Sequence, residues 1–189
     1  MSEILRAKAL PNGTRLELAR GDITAEQVDA IVNAANAQLM HGGGVAAAIA
    51  RKGGAVVWEQ SRAWVREHGP VPHDQPAWTE GGNLPCRYVI HAVGPVWRGG
   101  GQDEDEHLSA AVSGSLRRAD ELGLHSIAFP AISTGIFGYP KKRAAAVMLR
   151  ALAAYFSAHP DSGVRQVRLV LYDTPTVNAF VEVWDSEQA

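Results

Sequence analysis

Cysteine is almost absent. Cys86 stands alone in 189 residues, which rules out an internal disulfide framework. It follows Pro85 at the start of an apolar run, where a buried, unreactive thiol is expected. No apolar run approaches the roughly 20 residues needed to span a bilayer. Met1 to Leu10 lack the basic start and apolar stretch of a signal peptide, so a cytoplasmic location is expected and a membrane partner is not. Charge of one sign is lacking too. Eighteen Lys and Arg face 20 Asp and Glu, for a formal net charge of −2. Whole-molecule attraction to nucleic acid is therefore not expected. There is no repeat, low-complexity tract or linker. With 46% hydrophobic residues, the chain has enough apolar material for one sizeable core. A single domain over 1–189 is expected, as a monomer.

What is present is a regular alternation. Leu5 to Leu10 and Thr14 to Leu18 read as strands around Pro11-Asn12-Gly13. Ala30 to Val32, Arg87 to Val93, Ser126 to Pro130 and Val167 to Tyr172 read as further strands. Val45 to Arg51 reads as a helix. Leu108, Val112, Leu116, Ala119 and Leu122 recur at helical spacing, with Gly123 as a stop. Ala144 to Tyr155 carries a second such stripe, and Val177 to Trp184 closes the chain as a helix. Arg98 to Glu106, rich in glycine and acids, reads as a surface loop entering a helix. The pattern predicts an α/β fold with a mixed, mainly parallel sheet covered by helices on both faces. Ligands of such sheets bind beyond the carboxyl ends of the strands. The loops after Ala30–Val32, Ser126–Pro130 and Val167–Tyr172 should therefore form the site.

Two of those loops are rich in glycine. The first runs Asn33-Ala34-Ala35-Asn36 to His41-Gly42-Gly43-Gly44-Val45. Three consecutive glycines lose backbone entropy on folding and pack nothing. A reason to keep them is close approach of a ligand to a helix N-terminus, where unpaired N–H groups favour phosphate. A flexible turn is the plainer reading of a bare triplet. The second loop is Ala131-Ile132-Ser133-Thr134-Gly135-Ile136-Phe137-Gly138-Tyr139-Pro140, with Pro140 suited to the first turn of a following helix. Neither loop has the Gly-Lys-Ser/Thr of a P-loop or the Gly-x-Gly-x-x-Gly spacing of a dinucleotide fold. Two such loops on adjacent strands suggest a diphosphate held between them. Asp22 can cap a helix starting near Thr24, or accept from an exocyclic amine. Tyr172 can stack on a base, although packing in the core is the default for a strand-end tyrosine.

In order and spacing, these pieces resemble the macrodomain family from Leu16 to Trp184. Asn33-Ala34-Ala35-Asn36 followed by His41-Gly42-Gly43-Gly44-Val45-Ala46 is the strongest motif. Gly21-Asp22-Ile23-Thr24, His91-Ala92-Val93-Gly94-Pro95, Phe129 to Gly138 and Leu171-Tyr172-Asp173 complete it. The resemblance implies a three-layer α/β/α fold with ADP-ribose, or an ADP-ribosylated protein, in a cleft. It also implies residue roles. Asp22 would accept from the adenine amine beside the Ile23 N–H, and Tyr172 would border the base. Gly42, Gly43, Gly44 and Val45, with Ser133, Thr134, Gly135, Ile136, Phe137 and Gly138, would hold the diphosphate through backbone N–H groups. Asn36 would bond the distal ribose and Phe137 would pack on it. His91, on a central strand, is expected to be structural.

The resemblance leaves activity open. MacroD-type hydrolases carry Asp directly after Gly-Gly-Gly-Val, whereas Ala46 stands here. The His-Gly-Gly-Gly-Val-Ala form is closer to archaeal and coronaviral macrodomains. The expected activity is slow hydrolysis of mono-ADP-ribosyl acidic side chains, ADP-ribose 1″-phosphate or O-acetyl-ADP-ribose. Asn36 would fix the ribose, and His41, unless simply solvated ahead of the loop, would help move a proton. The alternatives are a reader without turnover and an unrelated nucleotide or NAD-dependent enzyme. No metal and no cofactor are expected.

Overall fold

The computed structural model describes residues 1–188. Seven strands form one sheet: β1 (Glu3–Ala9), β2 (Arg15–Arg20), β3 (Ala30–Ala34), β4 (Ala77–Glu80), β5 (Tyr88–Ala92), β6 (Ser126–Phe129) and β7 (Gln166–Leu171). Their order is β1-β2-β7-β6-β3-β5-β4. The pairs β2–β7, β7–β6, β6–β3 and β3–β5 are parallel, and β1 and β4 add antiparallel edges. The mixed, mainly parallel sheet is as expected. Five helices accompany it: α1 (Gly44–Gly53), α2 (Ala55–His68), α3 (Glu104–Glu121), α4 (Lys141–Ala158) and α5 (Thr174–Glu187).

Successive side chains of a strand point to opposite faces, and the core divides accordingly. Leu16, Leu18, Val32, Ile90, Phe129, Val167 and Leu169 pack with α3, α4 and α5 on one face. Ile31, Val89, Ala128 and Val170 pack with Ile49 of α1 on the other. Trp64 and Val65 of α2 lean on Ala77 beside α1's face. Helix, sheet, helix: the three layers are present.

Two elements were not assigned from sequence. In α2 the buried residues are only Val57 and Ser61, so no apolar stripe stands out. β4 is four residues long and lies on an edge, too short for alternation to declare itself. The expected loop before α3 is organised rather than loose. The Glu104 carboxylate is buried and accepts from the N–H groups of Arg98 (3.0 Å), Gly100 (3.2 Å) and Gln102 (2.9 Å). Cys86 is buried, and burial pushes its thiol up to about 11. The thiolate needed for nucleophilic chemistry is thus suppressed. Among the described residues no helix is long and apolar enough to cross a membrane.

Candidate functional site

The parallel strands β3, β6 and β7 all end at the same edge, and their loops enclose a cleft of about 830 Å³. One wall is the first glycine loop and α1. The other is the second loop, and the turn at Gly21 to Thr24 closes one end with Tyr172.

At that end Asp22 has both oxygens engaged. Oδ1 accepts from the Thr24 N–H at 2.9 Å and from the Thr24 hydroxyl at 2.6 Å. Oδ2 accepts from Lys52 Nζ at 2.8 Å. The Lys52 ammonium and then the Thr24 hydroxyl hold the carboxyl at about 2, so it is ionised throughout the neutral range. Capping and ligand recognition are therefore compatible: Asp22 caps the single 3-10 turn Ile23–Ala25 while facing the cleft. Among the described residues the Ile23 N–H has no partner. Tyr172 is 79% exposed, so the default expectation of core packing does not hold. β7 ends at Leu171, and the Tyr172 ring stands outside the sheet.

The first loop delivers α1 to the cleft with no side-chain cap, since Gly43 holds the cap position. Gly44 has φ +58°, where a side chain would be strained. In the second loop, Thr134 and Gly138 bond back to Ala131 and Gly135, and Tyr139 bonds to Ser133. The Trp97 N–H donates to the Phe137 carbonyl at 2.8 Å and fixes the loop from outside. What remains is a set of idle donors. Among the described residues, the N–H groups of Gly43, Gly135, Ile136 and Phe137 have no hydrogen-bond partner. Ser133 holds φ +66° and a buried hydroxyl with no partner. Idle amides on two loops of one cleft are donors of the kind with which backbone can meet an anion without basic side chains.

At the far end, the Asn36 amide is exposed and bonds both ways to Met40. Nδ2 donates to the Met40 carbonyl at 2.8 Å, and the Met40 N–H donates to Oδ1 at 2.9 Å. Each amide atom keeps one further bonding direction. Gly42 to Val45 and Ser133 to Phe137 all line the cleft. Gly138 does not, because it turns the chain away towards Tyr139.

His41 is the clearest departure. It is 3% exposed and absent from the cleft wall, so it is neither a solvated residue nor placed to exchange a proton with a ligand. Its ring stacks on His91 at 5.2 Å, and Nε2 pairs with Ser61 Oγ of α2 at 2.9 Å. Asn33 Nδ2 lies 3.0 Å from His91 Nδ1 and 3.4 Å from His41 Nδ1. His91 Nε2 pairs with Thr79 Oγ1 at 3.0 Å. Burial lowers the basicity of both rings. The pair pins the root of the glycine loop to β3, β4, β5 and α2. His91 is structural, as expected.

Lys52 and Gly94 line the cleft and were missed. Gly44, Ala48 and Lys52 are four residues apart, on one face of α1. That spacing was the available signal. For Gly94, a Cβ would stand 2.1 Å from Ser133 Oγ, a tertiary constraint with no local trace.

The sequence model of the Macro domain family matches residues 32–148. A Pyrobaculum aerophilum protein is 51% identical over 172 residues, 91% of this chain and 92% of its own length. A Thermotoga maritima protein is also 51% identical, over 90% of this chain but only 28% of its own length. An Escherichia fergusonii protein named O-acetyl-ADP-ribose deacetylase is 44% identical over 85% of this chain and 89% of its own length. Among solved structures, the Oceanobacillus iheyensis macrodomain with ADP superposes with a TM-score of 0.90 at 30% identity, covering 100% of this chain and 98% of that one.

Proposed function

The chain belongs to the Macro domain family, and from that premise we propose that it binds ADP-ribose along the cleft and hydrolyses adducts of its distal ribose. The observation that carries this reading is the set of idle amides of Gly43, Gly135, Ile136 and Phe137 on facing loops. A diphosphate matches them in charge and reach. Asp22 and the Ile23 N–H then meet the adenine edge, with Tyr172 beside the ring. Asn36 and Phe137 meet the distal ribose. The names of the Oceanobacillus structure and the Escherichia relative, with ADP and with O-acetyl-ADP-ribose, support the same ligand class.

Among the described residues the charged side chains lining the cleft are Asp22, Arg51, Lys52 and Asp173, and none belongs to the two loops that carry Asn36 and Phe137. Hydrolysis here uses positioning and fixed dipoles rather than a strong base. The loops bend the ligand so that a phosphate oxygen holds a water near the scissile bond. That water attacks C1″ of a 1″-linked adduct, or the carbonyl carbon of an ester. The leaving oxygen takes up the proton. Rates are modest as a result. The same lack of a base favours a second reading, a binding module without turnover.

One assay separates the two: incubation with O-acetyl-ADP-ribose and with mono-ADP-ribosylated glutamate peptide, reading deacylated or released ADP-ribose. Turnover is expected, and Asn36→Ala should lower it by about 100-fold. Tight binding with no turnover on either substrate selects the reader. Unchanged turnover in Asn36→Ala removes Asn36 from the reaction.

Asp22→Asn is expected to weaken ADP-ribose by roughly tenfold or more in calorimetry, because a charged acceptor is lost. With the Asp22 carboxyl at about 2, its contribution to affinity should stay constant from pH 5 to 8. A tenfold fall in affinity across that window would exclude Asp22 as an ionised acceptor.

A further inference from the structure

The mouth of the cleft at the Asn36 end is apolar and uncovered. Met40 is 63% exposed on the first loop, and Ile136 is 89% exposed on the second. Both line the cleft. Val96, 43% exposed, lies between Gly94 of the cleft wall and Trp97, which bonds to Phe137. Single exposed apolar side chains on a surface are ordinary. Six large ones are exposed among the described residues, and two of them, Met40 and Ile136, line the cleft from its two facing loops. Ile136 reaches across: its Cδ1 is 3.5 Å from where a Cβ on Gly43 would stand. Met40, bonded to Asn36, and Ile136, beside Phe137, thus stand on the two loops that flank the proposed ribose end.

We infer that this mouth selects O-acyl esters of ADP-ribose whose acyl chain is longer than acetyl. The inference rests on the binding orientation proposed above. An acetyl group ends at the ribose and leaves Met40 and Ile136 in water. An unbranched chain of four to six carbons reaches that rim and removes apolar surface on both partners. A modified acidic side chain arrives instead with peptide backbone and flanking charges, and among the described residues the two loops that carry Asn36 and Phe137 put no charged side chain on the cleft wall to meet them. Apolar complementarity, continuous with the cleft, favours the acyl chain. Hydrolysis adds the water hydroxyl to the acyl carbon and its proton to the ribose oxygen, giving a fatty acid and ADP-ribose, and needs no co-reactant.

The test is a series of O-acetyl-, O-butyryl- and O-hexanoyl-ADP-ribose, scored by kcat/KM and, in competition with ADP-ribose, by Kd. Burial of a methylene is worth about fourfold. The butyryl ester, longer by two methylenes, should therefore exceed the acetyl ester by about 15-fold, through KM. Met40→Gln and Ile136→Asn should bring the butyryl-to-acetyl ratio close to one, whatever their absolute rates. If no ester is turned over, hydrolysis fails as the activity, and the Kd series alone decides the mouth. A flat or falling series in both kcat/KM and Kd overturns the inference while leaving ADP-ribose binding intact. An ADP-ribosylated glutamate peptide preferred over the butyryl ester overturns it as well.

Discussion

Arg168→Met is expected to cost about 3–5 kcal/mol of folding stability, the usual result of removing one partner from a buried ionic group. Arg168 lies on β7, on the face that carries α1, with its side chain 17% exposed between Glu17 and Glu26, each 3% exposed. It donates to Glu17 Oε2 at 2.8 Å and to Glu26 Oε2 at 2.6 Å. Burial alone would raise Glu17. The hydrogen bonds from Arg15 and Arg168 outweigh it and hold the carboxyl below its ordinary value. Methionine would fill most of the volume and leave two buried carboxylates sharing only Arg15, Gln166 and Ser2. Urea titration of both proteins measures the loss. Adding Glu17→Gln and Glu26→Gln to Arg168→Met should recover most of it, because the penalty is uncompensated charge. A loss that the glutamines leave untouched would assign it to packing.

This network also reaches the site. Glu26 follows the 3-10 turn that carries Ile23, and Arg168 ties it to the sheet. The Asp22 end of the cleft is thereby fixed from below, while Lys52 fixes Asp22 from the side. ADP-ribose affinity of Arg168→Met, measured below its unfolding transition, should fall with the same sign as its stability.

The parts of the fold that were legible are those where one side chain repeats one environment. β2, β3, β5, β6 and β7 carry Leu, Ile and Val buried between helix layers, and α3 and α4 carry stripes that meet each other. The cleft was legible because glycine triplets and strand-end polar residues have few structural reasons to exist. What was not legible depends on partners distant in sequence. α2 contributes Ser61 and Trp58 to His41, a role invisible in a segment whose own pattern is weak. His41 itself sits next to Gly42, and sequence proximity to the ligand loop suggested chemistry there. Its side chain is directed the other way, into a polar pocket made by β3, β4, β5 and α2. For Tyr172 it was the default of core packing that failed, in the opposite sense. That residue extends an apolar strand by one residue, yet the sheet stops at Leu171.

Lowering the pH from 6.5 to 4.5 is expected to remove about 2–3 kcal/mol of stability through His91 alone. Burial, and then the neighbouring His41, lowers the His91 imidazole to about 3, against roughly 6.5 in an unfolded chain. Above pH 6.5 the ring is neutral in both states and its contribution is complete. Between 6.5 and about 3 the unfolded chain takes up a proton that the native protein refuses, so stability falls as the pH falls. His41 is shifted the same way by burial and steepens the slope. The depressed carboxylates Glu17, Asp22 and Asp173 add their losses only below about pH 4.5, nearer the unfolded values of Asp and Glu. That separation makes the upper window diagnostic of the imidazole pair. His91→Gln, which can still bond Asn33 and Thr79, should reduce the slope of unfolding free energy between pH 6.5 and 4.5 by about one proton. An unchanged slope would mean that other groups take up the protons. The root of the glycine loop would then owe nothing to a neutral imidazole pair.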